Sequence, residues 1–109
     1  MPPVALLAIA IAVEVLGTLF LRASDGFTRP GPTAVTLIAY AIAFWLLALI
    51  VRDIPISTTY AVWSGVGTAA IAAIGMIALG EPAGAVKVVS IALIVAGVVG
   101  LNLAGGTHA

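Results

Sequence analysis

Four apolar stretches, each long enough to cross a lipid bilayer, constrain this chain more than any other feature of its sequence. They cover approximately residues 3–21, 33–51, 56–79 and 85–104. An α-helix rises about 1.5 Å per residue, so a stretch of about 20 apolar residues matches the roughly 30 Å hydrocarbon core of a bilayer. The sequence therefore predicts an all-α membrane protein, with residues 1–109 forming a single membrane domain of four transmembrane helices in an up-down bundle.

The composition excludes most other classes of protein. The chain is 63% hydrophobic and only 7% charged, which is more apolar surface than a soluble domain of 109 residues could bury. Its net charge is zero and it contains no basic run, which argues against nucleic-acid binding. Because the chain has no cysteine and its single histidine is His108, we expect no metal, no cofactor and no enzymatic activity.

The segments between the apolar stretches contain residues that are typical of turns. Asp25-Gly26, Pro30 and Pro32 predict a loop after the first helix, and residues 80–84 predict a break after the third.

The positive charges give a weak prediction of orientation. Arg22, Arg29 and Lys87 lie in or beside the first and third loops, whereas the second loop carries only Arg52. The positive-inside rule then places the first and third loops in the cytoplasm and both termini outside. The bias is small and leaves insertion in both orientations open.

Glu14 is the single charged residue of residues 4–21 and lies in the middle of that stretch. Ionisable residues inside membrane spans are rare and point to function by default. The alternative is a protonated glutamate that hydrogen-bonds a neighbouring helix and has a purely structural role. We interpret Glu14 as the centre of a binding site.

Helical spacing places small and apolar residues beside Glu14, because residues three, four and seven apart share a face. These residues are Leu7, Ala10, Ile11, Gly17 and Thr18. Since Ala10 and Gly17 have small side chains, we expect this face to leave room for a cavity beside the carboxylate.

Four of the seven aromatic residues can turn towards one point. Tyr40 and Phe44 share a face of the second helix, and Tyr60 and Trp63 share a face of the third. Aromatic rings around a carboxylate suit a bulky, poorly hydrated cation, which gains from charge attraction and cation–π contact. Ordinary packing is the alternative for each ring taken alone. Together with Glu14, the rings predict a cation site.

A carboxyl group in this position would bind a proton or a cation, but not both, because a low dielectric disfavours an unpaired charge. That competition is enough to couple cation export to an inward proton gradient. Tyr40, Tyr60 or Thr18 could donate hydrogen bonds to the ionised form.

Gly65 and Gly67 lie near the middle of the third helix. They predict either a hinge or a close helix contact, and the sequence does not separate the two.

The fourth helix offers the site neither an acid nor an aromatic ring, and its small residues favour close approach of a second copy. The predicted dimer contact consists of Ser90, Leu93, Ile94 and Gly97.

Several segments resemble the small multidrug resistance family of transporters. They are AVEVLGT around Glu14, SDGFTRPGPT in the first loop, IAYAIAFWLLA in helix two, IPISTTYAVWSGVGT in helix three and LIVAGVVGLN in helix four. The resemblance implies an antiparallel dimer in the inner (plasma) membrane that exchanges protons for toxic cations. It also implies roles for Glu14, Trp63, Tyr40 and Tyr60 in binding, and for residues 90–98 in dimerisation.

Within the family, the chain is similar to exporters of quaternary ammonium compounds. Guanidinium exporters usually have a tryptophan where Leu16 stands and a serine near Ala41–Ala43. Ala43 replaces a hydroxyl residue that is frequent in drug exporters, and Ser90 replaces a usual glycine. The expected partners are lipophilic cations, protons, membrane lipid and a second subunit, either identical or from a heteromeric pair. The alternatives are export of guanidinium or polyamine-like cations, or a structural subunit of such a pair.

Overall fold

The computed structural model describes residues 2–104, so His108 lies outside the described part of the chain. Its helices are α1 (Pro3–Ala23), α2 (Pro30–Ile50), α3 (Ile56–Ala78) and α4 (Ala85–Leu103). Each of the four is long and apolar enough to cross a membrane. The chain divides into two compact helical hairpins, α1 packed with α2 and α3 packed with α4. The prediction of an all-α fold with four membrane-spanning helices is confirmed.

The prediction that Pro30 and Pro32 belong to a loop was wrong. Helix α2 begins at Pro30 instead of residue 33, so both prolines lie in its first turn. The first N–H groups of a helix have no acceptor within the helix, and the fixed φ of proline fits a helical start. Arg29 before it is extended (φ −101°, ψ 115°), as a residue that precedes proline prefers.

The other predicted helix ends differ less from those in the structure. Helix α1 continues to residue 23 instead of 21, whereas α2, α3 and α4 each end one residue earlier than predicted. The ends of helices fray, and sequence patterns fix them only to within a residue or two.

A buried serine organises the turn between α1 and α2. The Ser24 side chain is fully buried, and its hydroxyl donates to the carbonyl of Leu21 (2.6 Å) and accepts from the N–H of Phe27 (3.2 Å). Asp25, Gly26 and Phe27 have φ values of 49°, 68° and 67°. Three successive left-handed residues reverse the chain within a short loop, and glycine adopts this conformation without steric cost.

A different turn joins α3 to α4. Gly80 has a φ of 70°, and the N–H of Glu81 donates to the carbonyl of Gly75 (3.0 Å). The Glu81 carboxylate lies over Gly75, where any added side chain would collide with it. Lys87 Nζ lies 3.7 Å from Glu81 Oε1, an exposed pair of the kind that contributes about 0–1 kcal/mol.

Gly65 lets α3 and α4 approach closely. A Cβ atom at Gly65 would collide with the side chain of Val98 and come within 3.2 Å of Ile94 Cγ2. Helix α3 runs without interruption through Gly65 and Gly67. The contact supports the packing interpretation of Gly65, and the hinge at Gly65 and Gly67 stays a prediction.

Candidate functional site

Glu14 lies in the middle of α1, on the face that the predicted spacing indicated. Leu7, Ala10, Ile11 and Gly17 are buried on this face, and Glu14 and Thr18 are half-buried. Because these residues recur at intervals of three and four, their side chains form one stripe along the helix. A polar pair therefore interrupts an otherwise apolar packed stripe.

A chain of three hydrogen-bonding groups joins Glu14 to α2. The Thr18 hydroxyl donates to Glu14 Oε1 (3.1 Å), and Thr18 Oγ1 lies 2.7 Å from the Tyr40 hydroxyl oxygen. A hydroxyl has one hydrogen to donate. When Thr18 donates to Glu14, Tyr40 must be the donor to Thr18, so both hydrogens point towards the carboxylate. In the order Tyr40 to Thr18 to Glu14, the carboxylate acts only as an acceptor.

The same groups can also serve the protonated form of Glu14. A protonated carboxyl group has a hydrogen to donate, and Thr18 can accept it and donate in turn to Tyr40. The distance between Thr18 and Tyr40 is compatible with either atom as donor. The three side chains therefore offer one hydrogen-bond order for the ionised carboxylate and another for the protonated carboxyl group.

The ring of Tyr40 fills the space beside Gly17, where the sequence predicted a cavity. A Cβ atom at Gly17 would lie 2.9 Å from Tyr40 Cε1 and 3.0 Å from Ala39 Cβ. The missing side chain of Gly17 therefore serves the close packing of the tyrosine ring. This contact places the Tyr40 hydroxyl on Thr18.

The other predicted aromatic residues have different surroundings. Phe44 follows Tyr40 by one turn of α2 and is 66% exposed. Tyr60 and Trp63 belong to α3, where Tyr60 is 74% exposed and Trp63 is half-buried. The structure thus links Tyr40 to Glu14 through Thr18 within the first hairpin, and the aromatic cage as a whole stays a prediction.

The predicted dimer residues lie on α4, which has no buried residue. Ser90, Leu93, Ile94 and Gly97 are all exposed, and a side chain added at Gly97 would meet nothing within 4 Å. Ile94 and Gly97 also line a groove of about 380 Å³ between α3 and α4, together with Ser64, Gly65 and Thr68.

Thr36 was not among the predicted site residues. Its side chain is fully buried in α2, and its hydroxyl donates to the carbonyl of Gly17 in α1 (3.0 Å). The available signal was its position four residues before Tyr40, because residues four apart lie on one helix face. Thr36 and Tyr40 contact neighbouring residues of α1.

The fold and the site together define an integral membrane protein that has a hydrogen-bonded carboxyl group inside a spanning helix. The family model described as Small Multidrug Resistance protein matches residues 3–94. The chain belongs to the small multidrug resistance family, and it is a multi-pass protein of the cell membrane.

Relatives that are named for different functions are similar to the chain along nearly its whole length. The quaternary ammonium compound-resistance protein QacG of Staphylococcus sp. (strain ST94) is 42% identical over 94% of this chain and 95% of its own. The multidrug resistance protein Mmr of Mycobacterium tuberculosis is 50% identical over 88% of this chain and 91% of its own. A guanidinium exporter of Yersinia pseudotuberculosis is 41% identical over 91% of this chain and 95% of its own.

Proposed function

We propose that this protein is a proton-coupled antiporter that exports lipophilic quaternary ammonium cations, with Glu14 binding the proton and the cation in competition. The observation that carries the proposal is the half-buried Glu14 carboxyl group in a spanning helix, hydrogen-bonded by the neutral hydroxyl of Thr18. Within residues 2–104 the structure shows a salt bridge only between Lys87 and Glu81. The Glu14 charge is therefore left for a ligand.

The names of the relatives support cations as substrates. QacG is named for resistance to quaternary ammonium compounds, and Mmr for resistance to multiple drugs. A quaternary ammonium ion is poorly hydrated and offers no hydrogen-bond donor, so charge attraction and contact with aromatic faces dominate its recognition. Glu14 supplies the charge. Tyr40, Tyr60, Trp63 and Phe44 are the rings that we assign to this contact.

Competition at Glu14 supplies the coupling. The cation binds only after protonated Glu14 releases its proton, and binding of a proton from the other side displaces the cation. Since the two ligands stabilise different hydrogen-bond directions through Thr18 and Tyr40, each form of the site is satisfied. Export of one ligand therefore requires import of the other.

Proton release on cation binding tests this proposal directly. Tetraphenylphosphonium, a lipophilic cation that does not titrate, is added to purified protein in weakly buffered solution while the pH is recorded. We expect the solution to acidify in proportion to the protein, and the affinity for the cation to rise with pH. Saturable binding without any proton release would overturn the coupling.

We expect Trp63→Ala to weaken the binding of aromatic cations. A desolvated cation–π contact is worth about 1–2 kcal/mol, which corresponds to roughly a fivefold to thirtyfold loss of affinity. Trp45, which is 63% exposed on α2, provides the matched control, since Trp45→Ala removes the same side chain elsewhere. Equilibrium binding of tetraphenylphosphonium measures both variants. Equal affinities for Trp63→Ala and the parent would reassign Trp63 to packing.

Export of guanidinium is the second candidate function, because the Yersinia pseudotuberculosis guanidinium exporter is as similar to this chain as QacG is. The residues favour the larger cations: Leu16 and Ala43 stand at positions where the resemblance associates tryptophan and serine with guanidinium export. Competition between guanidinium and tetraphenylphosphonium for the purified protein separates the candidates. Guanidinium that displaces the larger cation at micromolar concentration would favour the second function.

We assign the functional unit to an antiparallel dimer in which two copies of Glu14 serve one site and α4 makes the subunit contact. The exposed apolar face around Gly97 supports this assignment, since small residues allow close helix approach. A two-state exchange between inward and outward openings is simplest when the two halves are nearly equivalent. Labelling of a cysteine placed at Arg52 from only one side of the membrane would indicate a single orientation and a partner subunit.

Gly97→Leu should weaken dimerisation without changing the fold of the single chain, because nothing lies within 4 Å of a Cβ atom there. Overpacking of a close contact costs about 1–3 kcal/mol, so we expect a dimer that is weaker by about fivefold or more. Ala92→Leu is the control, because Ala92 is also exposed and lies on the opposite side of α4. Cross-linking in liposomes at graded protein-to-lipid ratios measures the dimer. An unchanged dimer in Gly97→Leu would exclude this contact.

A further inference from the structure

We infer that Thr36 is a positioning residue for the exchange site: its hydrogen bond to Gly17 fixes α2 against α1, and thereby holds Tyr40 on Thr18 and Thr18 on Glu14. The inference rests on the proposed function of Glu14. It concerns a side chain that touches neither the proton nor the cation. Thr36 acts through its contact with the neighbouring helix.

The hydrogen bond of Thr36 crosses between the two helices. Thr36 Oγ1 lies 3.0 Å from the carbonyl oxygen of Gly17 and 3.1 Å from that of Pro32. Because a hydroxyl has one hydrogen to donate, the two carbonyls share it. The contact with Pro32 stays within α2 and is common for threonine in helices. The bond to Gly17 joins two helix backbones, and the Thr36 side chain is fully buried. In a membrane no water competes for these groups.

The two contacts between α1 and α2 are arranged in register. Thr36 bonds to Gly17, and Tyr40, one turn further along α2, bonds to Thr18. Small residues allow this approach, since a Cβ atom at Gly17 would lie 3.0 Å from Ala39 Cβ. A slide of α2 by one turn would displace it by about 5.4 Å. The Thr36 bond therefore fixes the height and rotation at which the Tyr40 hydroxyl meets Thr18.

Few ionisable groups can affect the pH dependence of this hairpin. Glu14 and Arg22 are the titratable or charged residues of α1, and Tyr40 is that of α2. Asp25 and Arg29 lie exposed in the loop between the two helices. Arg22 is exposed in the last turn of α1. A change in the pH dependence of cation binding therefore reports on Glu14 and its hydrogen-bond partners.

Thr33 provides a matched control on the same helix. Its hydroxyl donates to the carbonyl of Arg29 (2.6 Å), four residues earlier, so the bond that the structure shows for it stays at the start of α2. Thr33→Val and Thr36→Val make the same chemical change and remove the same kind of bond within the helix. Only Thr36→Val also removes the bond to Gly17.

The test measures tetraphenylphosphonium affinity and proton release by the full-length protein between pH 5 and 9, at about 25 °C. Interhelical hydrogen bonds in membranes make a modest contribution to stability, so we expect Thr36→Val to weaken binding about threefold to tenfold. It should also move the midpoint pH of proton release. Thr36→Ser, which keeps the hydroxyl, should restore both quantities, and Thr33→Val should leave both unchanged.

A second measurement separates positioning from general packing. A Tyr40→Phe background already lacks the hydrogen bond between Tyr40 and Thr18, through which Thr36 would act on Glu14. Adding Thr36→Val to this background should therefore not move the midpoint pH of proton release further. A shift of the same size in both backgrounds would overturn the inference, and so would parental affinity and pH dependence in Thr36→Val. If Thr36→Val does not fold, Thr36→Cys, with similar volume and a weaker donor, takes its place in the same cycle.

The outcomes also distinguish this inference from the proposed function. A parent protein that binds the cation and releases no proton overturns the proposed exchange. Because the role of Thr36 depends on that exchange, this result overturns it as well. A parent that releases protons, beside a Thr36→Val variant that behaves identically, overturns the role of Thr36 alone.

Discussion

Replacing Glu14 by glutamine is expected to abolish both cation-dependent proton release and coupled transport. Glutamine has nearly the size of glutamate and keeps an oxygen that can accept the hydrogen bond from Thr18 (3.1 Å), so the local structure of α1 should persist. The charge is lost. Two unit charges about 4 Å apart attract by about 4 kcal/mol at an effective dielectric constant of about 20, which is roughly a thousandfold in affinity.

The measurement is proton release and binding of tetraphenylphosphonium by purified Glu14→Gln protein. Glu81→Gln is the control, because it makes the same substitution at an exposed carboxylate whose partner is Lys87 at 3.7 Å. This control should retain the behaviour of the parent. Cation binding that persists and still strengthens with pH in Glu14→Gln would contradict the proposed mechanism.

A shorter acid at the same position separates an exchange site from a structural one. Aspartate keeps the charge but withdraws the carboxylate by one methylene group, which changes its distance to Thr18. We therefore expect Glu14→Asp to bind the cation with a shifted pH dependence. The alternative is a purely structural protein in which Glu14 stays protonated and joins neighbouring helices. In that case the parent would release no proton at any cation concentration.

The sequence could predict the four helices because each apolar stretch is long and nearly free of charge. Its error at the start of α2 has a physical cause. Prolines disfavour helix interiors but suit the first turn, so Pro30 and Pro32 are ambiguous until the position of that turn is known. The two prolines taken as turn residues therefore extend the predicted loop three residues too far.

The α1 side of the site could also be predicted, because spacing along one helix is fixed by its geometry. Glu14, Gly17 and Thr18 indeed share a stripe. Contacts between helices depend on register, which a single sequence does not contain. For this reason the ring of Tyr40 over Gly17 and the bond from Thr36 to Gly17 appeared only in the structure.

The interpretation of Gly65 illustrates the same limit within the second hairpin. A glycine inside a membrane helix favours either flexibility or close approach, and both interpretations follow from its missing side chain. The structure places Val98 and Ile94 against Gly65, which accounts for the glycine by packing. A hinge at this position would have to separate α3 from these two side chains.

Gly17→Ala is expected to lower cation affinity and shift the pH dependence of binding, although alanine is ordinarily the better helix former by about 1 kcal/mol. The new methyl group would lie 2.9 Å from Tyr40 Cε1 and 3.0 Å from Ala39 Cβ. Either the ring moves and leaves Thr18, or the two helices separate and stretch the bond from Thr36. Overpacking costs about 1–3 kcal/mol, so binding should weaken roughly fivefold to 150-fold.

Gly31→Ala is the control for this prediction, because it makes the same substitution in the first turn of α2, where nothing lies within 4 Å of the new methyl group.

The double variant Gly17→Ala with Ala39→Gly identifies which contact matters. If the backbone separation between α1 and α2 is the constraint, removing the Ala39 methyl group should restore part of the affinity. If displacement of the Tyr40 ring dominates, the double variant should bind as weakly as Gly17→Ala. If this packing holds the exchange site, a methyl group at Gly17 must change both cation affinity and the pH dependence of binding. Parental affinity and pH dependence in Gly17→Ala would therefore show that the site does not need the close contact between Tyr40 and Gly17.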